Sequence, residues 1–202
     1  MTLAAVFAAK NFAIAVADRR RTLLSSGVYV DDVKKIHQVN ARVMVSWAGI
    51  YHSIGNGQYR GLAEQIINEN LFRTGDESSV EEVAEMYSQS LKKRLAAGED
   101  MDDLAVTFHL SGRDQSGKYA IARVSHFEGF QMVVTPSNDR GLIWSLSRAD
   151  YDPSQWLQAE IASLSEVSVE TIQALAVKLI ERTAELDGYV SGTYDMLILD
   201  SI

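Results

Sequence analysis

No cysteine occurs in the 202-residue chain, which excludes disulfides, thiolate metal sites and cysteine nucleophiles. Proline is nearly absent, at two residues, so few positions are barred from helices or strand ladders by a missing amide proton. No apolar run reaches the roughly 20 residues that a membrane-spanning helix needs. The start of the chain has no basic stretch followed by a long apolar core and a cleavage site. Its apolar residues 4–9 are few and give way to Lys10, unlike a secretory signal. Basic side chains are outnumbered, 19 Lys and Arg against 27 Asp and Glu, for a formal net charge of −8. Phosphate binding wants a basic face, so nucleic acid is not an expected partner. The acidity favours solubility and discourages contact with anionic surfaces, membranes included. Together these absences predict a cytoplasmic protein.

What is present is ordinary for a globular chain: 47% hydrophobic and 23% charged residues. The length suits one compact domain over residues 1–202 with a sizeable core. No internal repeat, low-complexity tract or linker divides it.

Apolar runs over residues 3–9 and 12–17, joined at Lys10-Asn11, predict a buried β-hairpin. Charge arrives abruptly at Asp18-Arg19-Arg20-Arg21, which by itself reads as a solvated loop, and Ser25-Ser26-Gly27 marks a turn. Residues 28–30 suggest a short strand. Residues 35–39 and 42–48, on either side of Asn40, predict a second hairpin ending at Gly49. Gly55-Asn56-Gly57 breaks the chain; it lacks the Gly-Lys-Ser/Thr ending of a phosphate loop. Leu62, Ala63, Ile66 and Ile67 have helical spacing. Ser79 with Glu82 forms a capping box for a further helix that Gly98 terminates. Strands are expected over 104–110, 119–124, 130–135 and 142–146, with a turn over 112–117. Helices follow over 154–164 and after Ser168, and a last strand over 194–199. The order is strands, two helices, strands, two helices, strand. It predicts an α+β fold of two stacked sheets, each covered by a helix pair: a four-layer αββα sandwich.

Thr2 directly follows the initiator methionine, and its small side chain permits removal of Met1. That cut would leave a threonine whose free amine and hydroxyl share one residue, a known way of activating a hydroxyl nucleophile.

With Thr2 at the front, the element order resembles the N-terminal-nucleophile (Ntn) hydrolases, and more closely the proteasome β-type subunits and their bacterial and archaeal relatives. Thr2 looks like the family nucleophile. Asp18, in Ala17-Asp18-Arg19-Arg20, looks like its acidic partner, and Lys35, in Val33-Lys34-Lys35-Ile36, like the lysine beside the nucleophile. Lys34 fits the family spacing without an insertion. Lys35 implies one extra loop residue but puts Ala48-Gly49 where the family has its substrate-lining Ala-Gly pair. Thr22 resembles the threonine that pairs with substrate backbone. Asp187 resembles the second acidic residue, with Ser191 beside it and Val190 where the family has serine. The family's Gly-Ser-Gly turn is replaced by Arg148-Ala149-Asp150.

The resemblance implies a threonine-type endopeptidase with Thr2, Asp18 and Lys35 catalytic, Asp187 and Ser191 supporting, and Thr22 and Gly49 binding substrate. It implies peptide or unfolded-protein substrates and neither cofactor nor metal. It also implies a homo-oligomer, as a ring or another assembly, and an ATPase regulator. In this reading the amine of Thr2, with a pKa near 7.7–8.0, acts as general base. Lys35 lowers that pKa, Asp18 compensates the lysine, and the Gly49 amide donates to the oxyanion. An amine in place of water makes the same acyl-enzyme a transpeptidase or ligase. The contrasting reading is a non-catalytic structural subunit of an oligomeric assembly.

Other constellations are weaker. His37, His52, His109 and His126 have no metal-ligand spacing; His109 and His126 fall in or beside predicted strands and read as packing or surface residues. Trp144 and Trp156 read as core or interface anchors. Asp100, Asp102 and Asp103 lack the glycine and distal glutamate of a calcium loop.

Overall fold

The computed structural model describes residues 2–23, 28–55, 58–137 and 141–200. The turn at Ser25-Ser26-Gly27 and the Asn56-Gly57 part of the second break lie outside them.

The chain opens with β1 (Ala4–Ala8) and β2 (Phe12–Asp18), then β3 (Arg21–Leu23) and β4 (Val28–Val30). Next come β5 (Ile36–Gln38), β6 (Val43–Gly49), β7 (Tyr51–Gly55) and β8 (Gln58–Gly61). Helices α1 (Leu62–Leu71) and α2 (Val80–Ala96) follow, and then β9 (Val106–Arg113), β10 (Tyr119–Ser125), β11 (Met132–Pro136) and β12 (Ile143–Ser147). Helices α3 (Ser154–Ser163) and α4 (Val169–Leu186) precede the last strand, β13 (Tyr194–Asp200).

One antiparallel sheet has the order β12-β1-β2-β13 and the other β11-β10-β9-β6-β5. The pairs β3-β4 and β7-β8 form two small ribbons.

Every residue of β1 and β2 is buried, which is why they read as unbroken apolar runs. One face, Leu3, Ala5, Phe7, Ile14 and Val16, packs on Ile172, Leu175, Leu179 and Ile180 of α4. The other face is mostly alanine and meets Met44, Tyr119 and Ile121 of the second sheet. On that sheet's far side, Val43, Val45, Val106 and Phe108 pack against Ile66, Val83, Tyr87 and Leu91 of α1 and α2. Burial of these side chains contributes about 1.5–3 kcal/mol each relative to exposure. Helices α2 and α4 begin at capping boxes on Ser79 and Ser168, each worth about 1 kcal/mol.

The expected four-layer αββα sandwich is corrected by this arrangement. The fold is a two-sheet, antiparallel, β-rich α+β structure with four helices. Among the described residues of α3 only Leu157 is buried, so α3 does not lay down a full apolar face beside α4. The ribbon strands β3, β7 and β8 escape a reading based on apolar periodicity because they are short and carry charged or glycine residues. Strand β9 runs through Gly112 instead of stopping before it, because Arg42 and Val43 approach there so closely that no side chain fits. The turn falls at Asp114, whose carboxylate accepts from the amides of Ser116 and Lys118.

Candidate active site

Thr2 lies just before β1 and Asp18 closes β2. Because these strands are antiparallel neighbours, the start of one falls beside the end of the other. The Asp18 amide donates to the Leu3 carbonyl at 3.1 Å, and the Leu3 amide donates to Asp18 Oδ1 at 3.0 Å. Lys35 reaches in from the segment before β5, its carbonyl held by the Trp47 amide of β6 at 3.2 Å. Lys35 Nζ donates to Thr2 Oγ1 at 2.8 Å, to Asp18 Oδ1 at 3.1 Å and to the Arg20 carbonyl. An ammonium has three donors, and all three are engaged. Relative exposures of 5% for Thr2, 0% for Asp18 and 2% for Lys35 put the three in the interior.

The remaining Asp18 oxygen accepts from the Arg20 amide at 2.8 Å and the Ser191 amide at 3.4 Å. Burial is the largest influence on both ionisable partners. It pushes the Asp18 carboxyl above its ordinary value and the Lys35 ammonium below its own, each opposed by the other's charge. Arg20 braces the surroundings: its guanidinium donates to the carbonyls of Gly188 and Val190 and pairs with Asp31.

The other sequence candidates are placed differently. Lys34 is exposed. Asp187 is buried at the C-terminal end of α4, where its carboxylate accepts from the amides of Tyr151 and Tyr189, at 2.8 and 2.9 Å. Ser191 touches Asp18 through its amide, while its hydroxyl donates to the Thr193 carbonyl at 2.8 Å. Thr22 pairs through its backbone with Tyr29 in the β3-β4 ribbon; its side chain lies outside the description. Gly49 ends β6 opposite Val106.

A cavity of about 850 Å³ opens beside Thr2 and Gly49. It is of the size that small-molecule and peptide sites occupy. Part of its wall is apolar, with Ile50, Ala105 and Leu146, and part is polar. Thr107 Oγ1 and Ser125 Oγ are 2.8 Å apart, and His109 reaches from β9 to two serines of β12, with Nδ1 2.9 Å from Ser145 Oγ and Nε2 2.7 Å from Ser147 Oγ. Burial, with the Arg123 charge, pushes the His109 pKa down to about 3, so the ring is neutral at pH 7. At the rim Arg123 pairs with Glu128 and Arg148 with Asp152. This hydroxyl and imidazole wall was not anticipated from the sequence. Its signal is the alternation of Thr107, His109 and Ser111 with the apolar Val106, Phe108 and Leu110 along β9, since alternate residues of a strand line one face.

Among the described residues no helix is long and apolar enough to cross a membrane. No cluster of three His, Asp or Glu side chains there is arranged to hold a metal ion.

No protein-family model matches the chain, and no curated protein does. Among solved structures, a (Gly-1) mutant of Anbu from Hyphomicrobium sp. strain MC1 is similar, with a TM-score of 0.72 and 13% sequence identity over 99% of this chain and 83% of that one. At that identity the likeness is one of fold. It corrects the expectation of a proteasome β-type subunit: the structural likeness reported is to Anbu, and no sequence match supports membership of the proteasome β family.

Proposed function

We propose that this chain is a threonine-type peptide hydrolase acting through Thr2 once Met1 has been removed. The observation that carries the reading is the 2.8 Å contact between Lys35 Nζ and Thr2 Oγ1, backed by the 3.1 Å contact of the same nitrogen with Asp18. Because Lys35 donates to the Thr2 oxygen, the hydroxyl proton is left for the α-amine of the same residue. The amine takes that proton as Oγ1 bonds to the substrate carbonyl carbon, and the Lys35 charge keeps the amine's pKa low enough for it to be free at neutral pH. The proton passes to the leaving amine as the C–N bond breaks, giving an ester on Thr2. Water then attacks the ester and regenerates the threonine. A second amine in place of water gives a ligated peptide. The Gly49 amide is assigned to the developing oxyanion, and Ser191 acts on the site through its amide contact with Asp18. Asp187 is assigned a bracing role at the end of α4, because its oxygens are occupied by the amides of Tyr151 and Tyr189.

A second reading, a structural subunit without activity, draws on that engagement of Asp187 and on the Arg148-Ala149-Asp150 sequence beside the cavity. Mass spectrometry after incubation with a peptide epoxyketone or β-lactone separates the two. An adduct on Thr2, lost in Thr2→Ala, is the expected result. A chain fully freed of Met1 that takes no adduct overturns the proposal in favour of the structural role.

A further inference from the structure

The cavity beside Thr2 has a wall whose hydrogen-bonding capacity is not used up. Thr107 and Ser125 are 7% and 3% exposed, and their hydroxyl oxygens share one hydrogen bond. Each hydroxyl carries a single proton, so one proton of this pair serves the bond and the other finds no acceptor among the described residues. Ser125 Oγ is further committed as an acceptor, capping the following turn through the Phe127 amide at 3.3 Å.

The same count holds one row deeper. Neutral His109 has one N–H and one bare nitrogen, and it faces two serine hydroxyls. One serine donates to the ring and the other accepts from it, so the accepting serine keeps a proton with no partner among the described residues. A buried donor without an acceptor is costly, as at Thr107 and Ser125 in the cavity wall; of the two half-buried serines beside His109, Ser147 lines the same cavity.

Charge decides which acceptor suits the wall. The rim holds two cations and two anions already paired with each other, Arg123 with Glu128 and Arg148 with Asp152. A free carboxylate entering between balanced pairs gains no net field and loses its hydration. A purely aliphatic side chain suits the Ile50 and Leu146 part of the lining but leaves the Thr107 and Ser125 hydroxyl protons unmatched. A carboxamide carries no charge, accepts through its oxygen from the hydroxyls, and donates through its NH2 to the rim carboxylates.

We infer that this cavity is a recognition site for a carboxamide side chain, Asn or Gln, of the peptide that reacts at Thr2. The inference rests on the proposed function for the identity of the reacting residue, but the binding preference can be read without turnover. The probe is a set of acetylated heptapeptide amides in which each position in turn is Gln, Asn, Glu or Leu. Their binding to the Thr2→Ala protein is measured by titration calorimetry, alongside cleavage by the wild-type chain. The expected result is one position at which Gln or Asn binds at least tenfold more tightly than both Leu and Glu. In Thr107→Val/Ser125→Ala that preference falls to under threefold while the affinity of the Leu peptide holds, and the melting temperature drops by only the roughly 2–4 °C that loss of the cap on the Phe127 amide costs. Tighter binding of Leu or Glu at every position overturns the inference, as does an amide preference that survives the double substitution. Binding with the amide preference but no cleavage leaves the cavity assignment standing and counts against Thr2 as a nucleophile. Cleavage without the preference does the reverse.

Discussion

Lys35 Nζ and Thr2 Oγ1 are 2.8 Å apart although 33 positions separate them in the chain. The contact forms because two independent pieces of backbone geometry converge. The β1-β2 hairpin puts Thr2 next to Asp18, and the Trp47 amide of β6 holds the Lys35 carbonyl so that the lysine side chain points at both.

Substituting Lys35 by methionine removes the cation and leaves Asp18 buried without its counter-charge. Breaking one side of such a pair destabilises by roughly 3–5 kcal/mol. Adding Asp18→Asn removes the stranded charge, so Asp18→Asn/Lys35→Met recovers most of the stability while Thr2 labelling stays at least 100-fold below wild type. Thermal unfolding and labelling rates on all four proteins form the cycle. A double variant that labels at the wild-type rate removes Lys35 from the mechanism.

In the proposed mechanism acylation requires the α-amine in its neutral form, so the labelling rate is expected to climb with pH and level off above the amine's pKa. With the Lys35 cation beside it, the amine is expected to lose its proton at lower pH in wild type than in Asp18→Asn/Lys35→Met, so the labelling midpoint of the double variant lies higher. Stopped-time labelling from pH 5 to 9 measures both. Identical midpoints rule out the electrostatic role given to the lysine.

The long elements are legible in the sequence because they rest on strong local signals, whereas the grouping of Thr2, Asp18 and Lys35 is implied only by the family resemblance. The unbroken apolar runs of β1 and β2 announce buried strands, and the Ser79 capping box announces α2. The preference for Lys35 over Lys34 also comes from the resemblance, because Ala48-Gly49 then falls where the family has its Ala-Gly pair. The roles of Asp187 and Ser191 are not legible. Whether a carboxylate faces a nucleophile or caps the amides of Tyr151 and Tyr189 depends on how the end of α4 meets the chain before α3, a long-range matter that spacing does not encode. The cavity wall is hidden for a different reason: Thr107 and His109 look like defects in an apolar strand, and only the second sheet facing them gives them a cavity to line.

His109 makes acid stability a local property of the inter-sheet layer. Its folded pKa of about 3 lies below the ordinary 6.5, so the unfolded chain binds a proton in this interval and the folded chain does not. The associated stability is complete above pH 6.5 and is lost as pH falls towards 3, to a limit of the order of 5 kcal/mol. The groups that face the ring are the Ser145 and Ser147 hydroxyls, with Arg123 as the nearby charge. In His109→Gln the decline of stability between pH 6.5 and 4, followed by urea unfolding, becomes shallower by about 2–3 kcal/mol. An unchanged slope means that the ring is not buried in its neutral form.

Two glycines separate what the fold needs from what the site needs. At Gly112 a methyl group would run into the carbonyl oxygen of Arg42 and the backbone of Val43. Backbone cannot step aside as a side chain can, so Gly112→Ala costs roughly 3 kcal/mol or more, pushing β6 and β9 apart. At Gly49 the same methyl meets the Val106 Cγ2 at 3.1 Å and the Ala105 carbonyl at 3.3 Å, a milder conflict that needs a few tenths of an ångström of give from both. Gly49→Ala should therefore cost roughly 1 kcal/mol of stability, well short of Gly112→Ala. Its effect on labelling should be much larger, at least tenfold, because Gly49 lines the cavity beside Thr2 and the proposed mechanism brings a substrate carbonyl close to its backbone. Unfolding midpoints and labelling rates measured side by side test the separation. A Gly49→Ala protein that is both stable and labels normally would show that the approach to Thr2 does not run past the end of β6.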